Sequence, residues 1–135
     1  TFFHGHSYTG NPLGCAVALA NLEVFRNERT LVMLRPKIRL LTQLLKPLLG
    51  LPHVGDIRQQ GFMVGIELVR DRVTREPYPL EARIGHRVAQ EARKRGLLIR
   101  PLGHIIVLIP PLSVNRGTLT RMVNILSRSI AAVPR

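Results

Sequence analysis

Tryptophan is absent from this chain of 135 residues, and aromatic residues of any kind make up only 4% of it. Proteins that hold single strands of nucleic acid stack bases on aromatic rings, so this scarcity argues against such a platform. Cysteine occurs once, at Cys15, which excludes an internal disulfide. A reducing, cytoplasmic setting is the expectation. Cys15 lies in a run of small apolar residues, where a buried, inert thiol is expected. No apolar stretch has the length of a membrane span, and no signal-peptide pattern opens the chain. Acidic residues are scarce as well: 8 Asp and Glu stand against 20 Lys and Arg, a formal charge of +12. Such an excess invites a nucleic-acid reading. The basic residues are nevertheless spread through helical patterns rather than gathered in a run, so solvated helix faces are the simpler account. A basic nucleic-acid-binding module would show salt-dependent binding to DNA or RNA.

What the chain does have is enough apolar content, 45%, for one domain with a core. It opens on Thr1 and runs straight into FFHGH, which suggests that an upstream part precedes it. Asn11 is placed to cap a helix, with Pro12 at the first helical position, where its missing N–H is harmless. Leu13, Val17, Ala20 and Val24 follow at helical spacing. A second helical stripe carries Leu31, Leu34, Ile38, Leu41, Leu45 and Leu48, and Pro36 is expected to kink or divide it. In GFMVGIELV the residues Phe62, Val64, Ile66 and Leu68 alternate with their neighbours, the period of a strand. VGDIR before it reads as a short strand leading into a Gln-Gln-Gly turn, and RDRVTREPYP as a loop. A helix is expected from about Leu80 to Arg95, ended by Gly96. LLIR and HIIVLIP then read as short strands, and a last helix carries Leu119, Met122, Val123, Leu126 and Ile130. Strands returning through short turns, with helices between them, predict an α+β layer with a small, largely antiparallel sheet.

Two places carry candidate chemistry. The first is HGHSYTGNP, where Ser7, Tyr8 and Thr9 bring hydroxyls and Gly5 and Gly10 let backbone approach closely. A helix N-terminus behind such a loop favours anions such as phosphate. The competing account is an ordinary N-capped helix with nothing bound. His4 and His6 are poor metal ligands, because their spacing sends them to opposite sides of an extended chain. The second place is Arg100, read as ending an apolar strand and followed by Pro101, which holds its backbone extended. A guanidinium fixed there is suited to grip a carboxylate through two parallel hydrogen bonds. Asp56 and Glu67 are too isolated to serve as an acid/base pair, and Glu67 is expected to face solvent or pair with an arginine.

These segments carry a resemblance. FFHGHSYTGNPLGCAVALANLEVF, with GFMVGIELV, REPYP, EARIGHRVAQEARKRGLLIRPLG and IIVLIPPLS, is similar to the C-terminal part of the class III aminotransferases. HGHSYTGNP and IRPLG…PPLS resemble in particular the branch acting on 8-amino-7-oxononanoate in biotin biosynthesis. The resemblance implies the C-terminal small domain of the aspartate aminotransferase fold (fold type I), with residues 1–50 ending the large domain and linking to it, and residues 51–135 forming the small domain. It implies a homodimer using pyridoxal 5′-phosphate, with S-adenosylmethionine or lysine as amino donor. His6 and Ser7 fall on the pair that contacts the cofactor phosphate across the dimer, Gly5 on a substrate-contacting position, and Arg100 on the arginine that binds the substrate carboxylate. The family's Schiff-base lysine lies upstream of this motif, so catalysis by the isolated chain is not expected. An ω-aminotransferase of the ornithine or acetylornithine type is the alternative within the family.

Overall fold

The computed structural model describes residue 1, residues 4–5 and residues 9–133. The chain divides into two compact units, Thr1–Arg35 and Pro36–Arg135.

The first unit is built on helix α1, Pro12–Asn27. Gly10 enters it with a left-handed φ of +67°, a conformation glycine adopts at no steric cost. Asn11 then caps it in extended conformation. Arg29, with φ +50°, separates α1 from helix α2, Thr30–Leu45. No residue of α1 is buried, and Cys15 is exposed, contrary to the expectation of a buried thiol. Small apolar neighbours along the sequence do not bury a side chain unless another element covers their face. Leu13, Val17, Leu19 and Leu22 stand exposed in the same way.

Pro36 lies inside α2 without ending it. It removes one backbone donor, and the boundary between the two units falls immediately before it. In the second unit α2 buries Leu41 and Leu45, and the 3-10 turn Lys46–Gly50 adds Leu48. Strands β1 (Val54–Gln60), β2 (Met63–Leu68), β3 (Arg100–Leu102) and β4 (Ile105–Leu108) form one sheet in the order β1-β2-β4-β3. All three pairings are antiparallel. The expected α+β layer is therefore present, with a fully antiparallel sheet.

Alternation along β2 and β4 settles which face is covered. Val64, Ile66 and Leu68 of β2 and Ile106 and Leu108 of β4 are buried. Against them lie helices α3, Ile84–Lys94, and α4, Arg116–Ala132, which contribute Val88, Ala92, Leu119, Val123, Leu126 and Ile130. Burying one such aliphatic side chain contributes about 2 kcal/mol, so this layer holds the unit together. Met63, Gly65, Glu67, Ile105 and Val107 alternate onto the opposite, open face.

Three element boundaries differ from the sequence reading. The stretch from Leu80 opens as a 3-10 turn, Leu80–Ala82, and α3 begins only after Arg83, whose φ of +44° breaks the helical run. β1 continues through Gln60, so the turn lies at Gly61 (φ +60°) rather than at the glutamines. Of LLIR only Arg100 joins the sheet, opening β3 instead of closing a strand. β3 is an edge strand, where Pro101 can sit without breaking an inner ladder. The loop before α3 is held at both ends: Val69 bridges Pro77, and the Tyr78 hydroxyl lies 2.6 Å from Nδ1 of the buried His53. Among the described residues no helix is long and apolar enough to cross a membrane.

Candidate functional site

Of the site residues expected in the opening loop, His6 and Ser7 lie outside the described residues, as does Tyr8. Gly5 is described and exposed. The start of α1 behind the loop has a clear hydrogen-bond arrangement. Asn11 Oδ1 accepts from Leu13 N at 3.0 Å and from Gly14 N at 3.2 Å. Cys15 N donates to Asn11 O at 2.9 Å, and Pro12 has no N–H to give. Every amide of the first turn is therefore committed within the helix. An anion here would gain from the helix dipole but would find no free amide in this first turn.

Arg100 lies in the second unit, at the sheet edge. Its backbone partner is Val107, so its side chain belongs to the open face of the sheet, and the residue is exposed. The guanidinium is thus presented by an edge strand, not fixed at the end of a buried one. Among the described residues it makes no ion pair, which leaves its charge available. Two depressions meet at this side chain. One is an apolar groove of about 570 Å³, whose lining includes Leu98, Ile99, Leu102, Val107 and Ile109. The other, of about 210 Å³, brings His86, Gln90 and Arg93 of α3 beside Arg100. A single cation on the rim of an apolar groove suits a ligand with a carboxylate at the end of an aliphatic chain. The residues at positions 86, 90 and 93 were not singled out by sequence reading. Their i, i+4, i+7 spacing marks one helix face, though it carries no sign of what that face borders.

The carboxylates elsewhere are structural. Asp56 and Glu67 are cross-strand partners that flank Arg58, with Arg58 Nη1 at 3.2 Å from Glu67 Oε2 and 3.6 Å from Asp56 Oδ2. His104 Nε2 lies 3.7 Å from the other Glu67 oxygen. The expectation that Glu67 pairs with an arginine is met. Glu91 accepts from Lys94, at the end of α3, and from Arg95, just past it, and these contacts hold its carboxyl below the usual 4.5. Two of the three lysines are also engaged: Lys37 Nζ donates to the Leu112 carbonyl at 2.9 Å, tying the PPLS loop to α2, and Lys94 Nζ is 2.6 Å from Glu91. Among the described residues no three His, Cys, Asp or Glu side chains gather as a metal site would need.

Comparison with known proteins places this architecture. The family model described as aminotransferase class-III matches residues 1–130. Adenosylmethionine-8-amino-7-oxononanoate aminotransferase of Nitratidesulfovibrio vulgaris is 60% identical over 133 residues, covering 98% of this chain and 24% of that protein. The crystal structure of the enzyme of that name from Methanocaldococcus jannaschii superimposes with a TM-score of 0.92 at 45% identity, covering 96% of this chain and 30% of the other. An aminotransferase from Vibrio fluvialis, solved in a PMP-bound form, gives a TM-score of 0.89 at 31% identity, covering 96% of this chain and 29% of the other. The chain thus spans only 24–30% of the length of these three proteins. Its antiparallel sheet and covering helices are those of fold type I, the aspartate aminotransferase fold, and the chain belongs to the class III aminotransferases.

Proposed function

We propose that this chain is the C-terminal part of a pyridoxal-phosphate-dependent enzyme that transfers an amino group to 8-amino-7-oxononanoate, giving 7,8-diaminononanoate for biotin biosynthesis. The observation that carries this reading is the 60% identity, over nearly the whole chain, to an enzyme named for that keto acid. The geometry around Arg100 supports it, because an unpaired guanidinium borders an apolar groove, as a long-chain keto acid requires. In this reading residues 1–50 close the large domain and lead into the small domain of residues 51–135. Two copies form the working dimer.

The chain's own residues divide the binding work. His6 and Ser7 reach the cofactor phosphate in the neighbouring subunit, with the Ser7 hydroxyl donating to a phosphate oxygen. The closed first turn of α1 fits this role: with its amides taken by Asn11, the loop supplies the contacts and the dipole supplies field. Gly5 leaves room for substrate beside the cofactor, and Arg100 holds the substrate carboxylate. Pyridoxal phosphate, when bound, supplies the electron sink that lets an amino group move between donor and keto acid. By the family resemblance, the lysine that anchors it belongs to a segment preceding the HGHSYTGNP motif, and Lys37, Lys46 and Lys94 are not assigned that role.

The test uses the intact protein. Ser7→Ala weakens cofactor retention, read as loss of the cofactor's visible absorption on dialysis. Arg100→Ala raises KM for 8-amino-7-oxononanoate by about 10-fold to 100-fold with a smaller change in kcat, the loss expected for a charge-assisted pair. Unchanged retention and unchanged keto-acid kinetics would sink both assignments. Turnover of ornithine or acetylornithine with none of 8-amino-7-oxononanoate would move the enzyme to the other branch of the family.

A further inference from the structure

Most of the chain's positive charge, 20 Lys and Arg in all, finds no use in the site described above. After Glu91 the chain has no acidic residue at all, while arginines continue to its end. On α4, Gly117, Thr120, Arg121, Asn124 and Arg128 recur at intervals of three and four, which aligns them on one face of the helix. Together with Arg95, just past α3, they line an open groove of about 590 Å³. Arg95 is occupied, since it both pairs with Glu91 and donates to its backbone carbonyl. Arg121 and Arg128 are exposed and make no ion pair among the described residues. They lie two turns apart, about 10 Å along the axis. Thr120 spends its hydroxyl proton on the Arg116 carbonyl, so the Asn124 amide is the neutral donor between the two guanidiniums.

We propose that this groove binds a compact polyphosphate of the triphosphate class. Guanidinium forks match phosphate oxygens through paired hydrogen bonds, and two unpaired forks bracketing an amide call for an anion with several charges. The groove has the volume of a small-molecule site, and no aromatic side chain lines it. The recognised part is therefore the phosphate chain and not a stacked base. This site is separate from Arg100 and does not depend on which keto acid the enzyme takes.

The test is calorimetric titration of the intact protein with sodium tripolyphosphate at about 150 mM salt, where loose surface attraction is largely screened. Saturable binding of one ligand per subunit is expected, and Arg121→Ala with Arg128→Ala weakens it about tenfold or more. Arg121→Lys with Arg128→Lys keeps the charge but loses the fork, so it gives an intermediate loss. Arg39→Ala with Arg72→Ala removes the same charge elsewhere and leaves the affinity within about twofold. Absence of saturable binding overturns the proposal, as does equal weakening by the two alanine pairs, which would mark a bulk charge effect. Tighter binding of a single-stranded oligonucleotide through the same two arginines would also overturn it, making the groove a nucleic-acid site.

Discussion

Gly85 shows how one residue holds the second unit together. A Cβ at this position would overlap the carbonyl oxygen of Gly103 and lie 2.9 Å from Pro101 Cβ. The start of α3 therefore rests directly on the turn that joins β3, the strand presenting Arg100, to β4. Backbone cannot yield as a side-chain tip does, so Gly85→Ala is expected to destabilise the protein by about 3 kcal/mol. At Gly55 the added Cβ would meet only the Val69 side chain, at 2.6 Å from Cγ1. Val69 is buried but can shift, so Gly55→Ala is expected to cost less, about 1–2 kcal/mol. Chemical denaturation of the two variants checks the order, and a more damaging Gly55 substitution would contradict it. Glu91 is a different kind of residue, with an effect set by pH. Hydrogen bonds from Lys94, and then from Arg95, lower its folded pKa beneath the ordinary 4.5. A depressed carboxylate stabilises the folded state above its unfolded pKa and loses that contribution as pH falls through the folded value. The gap in Tm between the native protein and Glu91→Gln is therefore expected to be constant near neutrality and to close only below about pH 4.5. A gap that persists in acid would assign the effect of the substitution to packing.

Two of the four α-helices among the described residues, α1 and α4, start on an asparagine cap. Asn11 Oδ1 closes the first turn of α1, and Asn115 Oδ1 accepts from Thr118 N at 2.8 Å at the start of α4. Asn115→Ala is expected to cost about 1 kcal/mol, and Asn115→Asp or Asn115→Ser to keep most of the stability, since either retains the acceptor oxygen. The midpoint of denaturant unfolding reads the difference, and an alanine variant as stable as the aspartate one would remove the cap from the account. Features of this sort were legible in the sequence because their chemistry is local. Asn-Pro after a turn gave the start of α1 to the residue, and strict alternation gave β2. Features that depend on a partner element were not. Arg83 takes a left-handed conformation and delays α3, although nothing about an arginine announces a positive φ. LLIR has the composition of a strand, yet pairing begins only at Arg100, because β4 offers partners only to Arg100, Pro101 and Leu102. Cys15 was expected inside because its neighbours are small and apolar, and sequence alone cannot show whether that face is covered.

At the scale of the molecule, the two candidate binding contributions fall in different compact units: residues 5–7 within Thr1–Arg35 and Arg100 within Pro36–Arg135. The resemblance was legible from end to end because HGHSYTGNP and IRPLG are contiguous motifs. The grooves beside Arg100 were not, since they assemble from α3, β3, β4 and the PPLS loop, segments distant in sequence. Under the proposed function the two contributions act on different molecules, Ser7 on the cofactor phosphate and Arg100 on the substrate carboxylate. Groups without a shared partner contribute independently to transition-state stabilisation, within about 0.3–0.5 kcal/mol. With cofactor saturating, the fall in kcat/KM for Ser7→Ala with Arg100→Ala is therefore expected to equal the product of the two single effects to within about twofold. A double variant no worse than Arg100→Ala alone would mean that both residues serve one contact, and the division of labour between the units would fail. A double variant far worse than the product would mean that each residue compensates for loss of the other, as happens when cofactor tilt and carboxylate grip are mechanically coupled. The product rule follows only if the loop holds the cofactor still while Arg100 places the keto acid, so steady-state kinetics of four proteins decides between separate and shared roles.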